Sequence, residues 1–366
     1  MSRRRVLLLA GSILAACLIG LPTVPGLRAA AETLPARLTD QEFWKIVSDF
    51  YEPNGFFRSD NLLSNELWFQ YVIPDLTRTA KPGRVYMGVG PEQNFAYIVA
   101  LKPAMAFIVD IRRGNLELHL MYKALFELSA DRAEFVSRLF SKKRPDGLGR
   151  TSTAKDIFAA YSKVDTSDAL YTENLKAIQN QLVTKHGLAL SGDDLDGIEY
   201  VYRAFFSFGP GLQYASTGRG GGFGGFGGGF QPSYADLMVA TDGNDQARGY
   251  LSSEERFAFL KDLESRNMLV PLVGNFAGPK AIRAVGAYLK EKQASVSAFY
   301  LSNVEQYLQQ DGLWRDFCAN VAALPLDETS TFIRAVRGGQ YGRGGGLNSE
   351  LGAMAAEVAA CVSNRR

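Results

Sequence analysis

Histidine and cysteine are scarce in this chain: 366 residues hold two of the first and three of the second. That excludes a histidine-built metal centre and a scaffold of several disulfides, so no metal cofactor is expected. Basic charge is scarce too once position is considered. Forty Lys and Arg face 38 Asp and Glu, but Arg3, Arg4, Arg5 and Arg28 all lie in the first 30 positions, and without them the net sign is negative. No nucleic-acid partner is expected from such a balance. Catalytic signatures are missing as well. There is no Gly-x-Ser-x-Gly elbow and no His-Glu-x-x-His pair. His119 stands mid-helix between Leu118 and Leu120, and His186, before Gly187, reads as a helix-terminal residue. No residue announces itself as a general base. The remaining composition, 46% hydrophobic and 11% aromatic, is that of an ordinary globular protein.

Met1 to Ala31 reads as an export signal. Arg3-Arg4-Arg5 forms a positive start, Val6 to Leu21 an apolar stretch broken by Gly11, Ser12 and Gly20, and Ala29-Ala30-Ala31 a small-residue cleavage pattern. The stretch falls short of the roughly 20 apolar residues a membrane-spanning helix needs. Ser2-Arg3-Arg4-Arg5-Val6-Leu7 looks like a twin-arginine signal, and Leu14-Ala15-Ala16-Cys17 resembles a lipobox. The expectation is a periplasmic or extracellular protein, residues 32–366, with lipidation of Cys17 as the alternative and the only membrane contact. In that compartment Cys318 and Cys361, the two cysteines left, are a candidate disulfide. They lie in helix-like stretches, Leu313 to Ala323 and Leu351 to Val362.

The mature sequence reads as one α/β domain. Thr39-Asp40-Gln41-Glu42 is a capping box opening a helix that Glu52-Pro53-Asn54-Gly55 stops. Arg84 to Met87 reads as a strand, Gly88-Val89-Gly90-Pro91 as a turn, Glu92 to Leu101 as a helix, and Met105 to Asp110 as a second strand. A helix follows from Asn115 to Leu128. Strand, glycine turn, helix, strand, helix opens a doubly wound sheet, and unalternating apolar strands fit burial on both faces. Residues 130–206 are read as a helical insertion. Met268 to Val273, Val296 to Leu301 and Thr331 to Val336 supply further strands, the last taken as the final one. Lys280 to Lys290 is a helix with Pro279 suited to its first turn. The glycine tracts 218–229 and 338–346 are read as flexible surface loops.

Gly88 and Gly90 after one strand, with Asp110 at the tip of the next, are the strongest constellation. Glycine lets a backbone turn tightly and a ligand approach, and an acidic residue about 20 positions on accepts hydrogen bonds from ribose hydroxyls. Gly88, Gly90, Glu92, Asn94, Asp110 and Arg112 thus form a candidate cofactor set. Asn94 or Phe95 replaces the third glycine of a dinucleotide fingerprint, so a phosphate-free nucleoside such as S-adenosylmethionine fits better than NAD. A purely structural turn with a capping Asp is the other reading. A second set, Asn275, Lys280, Ser302, Asn303 and Glu305, lies at the tips of later strands and should face the same crevice. Asp60, Asn61, Asn65 and Glu66 join it because Ser64-Asn65-Glu66 echoes Ser302-Asn303-Val304-Glu305; helix capping by Ser and Asn is the alternative. Arg112, Arg113 and Arg334 are candidates to pair Glu66 or Glu305, or to contact an anion.

The runs Val85 to Tyr97, Phe107 to Asn115, Val270 to Lys280 and Ala298 to Leu308 resemble an uncharacterised bacterial family with a class I S-adenosylmethionine methyltransferase-like fold. The resemblance extends from about Phe50 to Arg337. It implies a Rossmann-like fold and no established reaction. Asn275, where an aspartate is expected, and the tract 218–229 depart from the pattern. Two functions follow as expectations: an S-adenosylmethionine-dependent methyltransferase, or an exported binding or structural protein that kept the fold and lost the chemistry. The missing base and export favour the second, because the cofactor is cytosolic; the intact Gly88-Val89-Gly90 and Asp110 favour the first.

Overall fold

A computed structural model describes residues 33–218, 231–343 and 347–363. The expected export signal and most of the tract 218–229 lie outside the described residues. Six strands form one sheet: β1 (Val85–Gly88), β2 (Met105–Asp110), β3 (Leu269–Val273), β4 (Val296–Ser302), β5 (Thr331–Arg337) and β6 (Leu347–Ala353). The order across the sheet is β3-β2-β1-β4-β5-β6, parallel except for β6, which runs antiparallel to β5. Every residue of β1, β2 and β3 is buried. Helices therefore cover both faces, as the unalternating sequence requires. The direction of winding reverses between β1 and β4, which opens the sheet's carboxyl ends at that point.

The link from β2 to β3 carries the helical insertion. It begins with Arg113–Leu128, in which every residue from Asn115 to Phe126 is buried. A helix apolar on nearly all sides belongs in a core. The helices Arg132–Phe140, Ala154–Tyr161, Asp168–Gln179 and Gly192–Phe208 pack around it. The helical run does not end at 206 as expected from sequence, since Tyr234–Val239 and Glu254–Ser265 also precede β3. Phe95 joins sheet to insertion. Its ring meets His119, Tyr122, Phe126 and Tyr250 edge-on, with centroids 5.2 to 5.6 Å apart. The first helix, Asp40–Asp49, has the expected Thr39–Glu42 box and is pinned to the core by His186. That imidazole lies 2.6 Å from both Asp40 and Glu127, and the Glu127 hydrogen bond raises its pKa.

Three expectations are corrected. Thr331–Arg337 is not the final strand: β6 follows it, and the helix expected from Leu351 starts at Met354. The sequence Leu-Asn-Ser-Glu-Leu-Gly-Ala conceals β6, because an edge strand need not be apolar on both faces. The tract 338–346 is partly ordered: Tyr341 exchanges backbone hydrogen bonds with Ser349 at 2.8 and 2.9 Å, and its hydroxyl donates to Asp75. Residues 344–346 lie outside the described residues. Finally, Pro279 precedes the helix Ala281–Glu291 instead of entering its first turn, with Lys280 at the N-cap.

Cys318 and Cys361 form a disulfide, with Cα atoms 6.2 Å apart, joining helices Trp314–Val321 and Met354–Ser363. Among the described residues no helix is long and apolar enough to cross a membrane. A bridge between residues 43 apart should contribute about 4 kcal/mol through the lost entropy of the unfolded chain. Urea unfolding with and without reductant should show a loss of that order, and coincident curves would show the bridge to be energetically idle.

Candidate functional site

At the end of β1 the glycine turn is held by Asn94. Its amide donates to the carbonyls of Val89, Gly90 and Pro91 at 2.9, 3.2 and 2.7 Å, and its Oδ1 accepts from the Tyr86 hydroxyl at 2.8 Å. A Cβ on Gly88 would collide with that Oδ1. Gly90 has φ +76°, and a Cβ there would stand 3.2 Å from Asn61 Nδ2. Both glycines thus have reasons within the chain: one makes room for Asn94, and the other bends left-handed beneath Asn61.

Asp110, at the tip of β2, is buried and engaged on both oxygens by Arg112. Oδ1 accepts from the Arg112 backbone N–H at 2.9 Å and from Nε at 3.1 Å, and Oδ2 from a terminal guanidinium N–H at 3.1 Å. The same guanidinium donates to the carbonyls of Ser59 and Asp60. A paired fork of this kind is the strong form of the interaction. Arg112 thus takes three acceptor positions of the Asp110 carboxylate, where the hydroxyls of a ribose would bond.

Ser59 and Asp60 belong to a strap, residues 51–68, that crosses the carboxyl ends of the strands. Glu52 N–H bonds the Val273 carbonyl at the end of β3, and Gly55 N–H bonds Ile111 just past β2. Asn61 lies over Gly90, and Ser64 N–H donates to Glu92 beside the β1 turn at 3.2 Å. Glu66 then accepts from Tyr300 and Ser302 on β4 at 2.7 and 2.6 Å, and from Gln93 at 2.8 Å. The crossing order β3, β2, β1, β4 is the spatial order of the sheet. Two buried carboxylates anchor the strap. Glu52 accepts backbone N–H groups of Asn275, Lys280 and Ala281 at 2.7, 2.6 and 2.9 Å, where the helix Ala281–Glu291 starts. Glu66 is enclosed, and burial raises its pKa.

The description Domain of unknown function (DUF7790) matches residues 61–187 and 157–350, overlapping segments that take in most of the sheet and its insertion. The chain belongs to this family. No curated protein matches it. The DUF7790 match assigns no reaction.

The two Ser-Asn-Glu segments do converge, through Glu66 and Ser302. Ser302 holds a left-handed φ of 49° there, as Asn61 does at 47°. Arg334 pairs Glu305, as expected, and also Glu357. Arg112 and Arg113 take Asp110 and Asp194 instead of Glu66 or Glu305. Asn275 and exposed Lys280 gather around Glu52 through their backbones, apart from the glycine turn. Asn303 is an N-cap without a side-chain bond, and Asn65 is exposed. Among the described residues no group of three or more His, Cys, Asp and Glu could hold a metal. Sequence reasoning missed Glu52, hidden in a helix-stop signal, and Glu117, hidden in an apolar helix.

Beneath the strap, Glu92 is buried with Oε2 lacking a protein partner, and burial pushes its pKa up to about 8. His119 donates through Nε2 to the Gly90 carbonyl oxygen at 2.9 Å, and burial pushes its pKa down to about 4. Both are therefore neutral at pH 7. The folded Glu92 carboxyl keeps its proton up to about pH 8, while the unfolded one releases it near 4.5. Stability from this group is thus full below pH 4.5 and falls by about 1.4 kcal/mol per pH unit as pH rises toward 8. Glu92→Gln, which resembles the protonated form, should match the native chain in urea unfolding near its ordinary pKa and exceed it progressively above. Parallel pH profiles would show that Glu92 is ionised in the fold.

Proposed function

We propose that this chain is an exported, non-catalytic small-molecule-binding protein. It uses a doubly wound, methyltransferase-type α/β fold whose nucleoside position has been closed by the strap. The observation that carries this reading is the Asp110 carboxylate, engaged on both oxygens by Arg112 while the same guanidinium holds the strap at Ser59 and Asp60. The strand order, with its reversal between β1 and β4, supports the fold type, and the expected Arg3-Arg4-Arg5 leader supports export. The Cys318–Cys361 bridge agrees with an oxidising compartment.

A methyltransferase reading would require the strap to open and release Arg112. Thermal unfolding with S-adenosylmethionine or S-adenosylhomocysteine separates the two. A ligand at 100 times its dissociation constant adds about 2.7 kcal/mol. The expected result is no change in midpoint at millimolar ligand. A stabilisation that disappears in Asp110→Ala would restore the methyltransferase reading and make strap opening part of its cycle.

A further inference from the structure

A cleft of about 590 Å³ lies between the strap and the insertion, lined by Phe56, Phe57, Arg58, Arg112, Glu117 and Tyr200 among others. Its size suits a small organic molecule. Gly88, Gly90 and Asp110 do not line it; it adjoins the closed nucleoside position through Ser59, Asp60 and Arg112. Phe56 stands at its edge with 87% of its surface exposed, and Tyr200 is also an exposed aromatic.

The charges along the cleft are unequal in one respect. Arg112 is held by Asp110, Ser59 and Asp60. Arg113, next to it, is held by Asp194 and lies over the Tyr51 ring at 5.6 Å. Arg58 donates to the Tyr307 hydroxyl at 3.2 Å and lies over that ring. Asp60 accepts from the Tyr200 hydroxyl at 2.7 Å. Glu117 is 9% exposed and receives no hydrogen bond among the described residues. Its carboxylate packs against Gly197 in the helix Gly192–Phe208, in the space that a Cβ there would take. A buried carboxylate without a donor, opening on a cleft, is an acceptor for an incoming cation.

We propose that this cleft binds a primary ammonium group carried on an aromatic or apolar body, with the Glu117 carboxylate as counter-ion and the Phe56 and Tyr200 rings beside the body. The inference deepens the binding-protein reading by naming its ligand class. Burial and the Asp194 carboxylate push Glu117 up to about 7, against the pull of Arg113. The other charged groups around it are the Asp110–Arg112 pair at the tip of β2, and Arg58 and Asp60 on the strap. Glu117 therefore passes from mostly protonated to mostly ionised across neutrality, while an alkylammonium stays charged.

Calorimetric titration with phenethylamine, and with hydrocinnamate as its anionic counterpart, tests the proposal. The amine should bind and the carboxylate should not. Amine affinity should rise about tenfold between about pH 6 and about pH 8, following the ionised fraction of Glu117. Glu117→Gln should abolish that binding while folding normally, since it removes a buried charge, and Phe56→Ala, at an exposed position, should weaken it. Preference for hydrocinnamate, amine binding unchanged by Glu117→Gln or by pH, or no amine binding at millimolar concentration would each overturn it. The amine arm reads Glu117 and the nucleoside arm reads Asp110, so failure of one inference is distinguishable from failure of the other.

Discussion

The strap is held by two carboxylates taken out of water at its two ends, and the architecture of the strand tips depends on them. Removing a carboxylate from water costs several kcal/mol unless hydrogen bonds replace the lost hydration. Glu52 finds three backbone N–H groups at a helix start, where the peptide dipoles also favour negative charge. Glu66 finds two hydroxyls and an amide. Between these anchors Arg112 bonds both the strap and Asp110, so the middle of the strap is locked to the sheet by charge. The place where an open α/β sheet ordinarily receives a ligand is filled, residue by residue, with the protein itself.

One helix, Arg113–Leu128, distributes polar groups to four neighbours. Arg113 meets Asp194, Glu117 opens on the cleft, His119 donates to the glycine turn, and Lys123 donates to the Glu264 carbonyl while pairing Glu127 one turn on. Of these groups Arg113, His119 and Lys123 have partners on neighbouring elements, and Glu117 alone has no donor among the described residues. The polar residues of this helix show where the insertion, the strap and the sheet meet.

Much of this was legible before any coordinates. Apolar runs gave five of the six strands, the Thr39–Glu42 box gave the first helix, and the cysteine count gave the bridge. Of the echo between Ser64-Asn65-Glu66 and Ser302-Asn303-Val304-Glu305, Glu66 and Ser302 meet, while Asn65 is exposed and Glu305 pairs Arg334. What was not legible shares a cause. The strap has no hydrophobic period, and Glu52 stands in Glu-Pro-Asn-Gly, which reads as punctuation. Glu117 looks like an ordinary helix residue, because its environment comes from Asp194 and Gly197 on another helix. The pairing of Asp110 with Arg112 is close in sequence but depends on backbone turning at the strand tip, which composition does not encode. Strand β6 is polar enough to pass for loop.

The strap also sets the order in which the molecule can be completed. It lies ahead of every strand in the chain, yet Glu52 meets Asn275 across 223 positions, and Glu66 meets Ser302 across 236. Neither anchor exists until β3 and β4 have been added to the sheet. Contacts of such long range are slow to form, because loop closure must precede any reward. A segment made early thus cannot settle until the chain has passed Ser302, and the open strand ends wait for it.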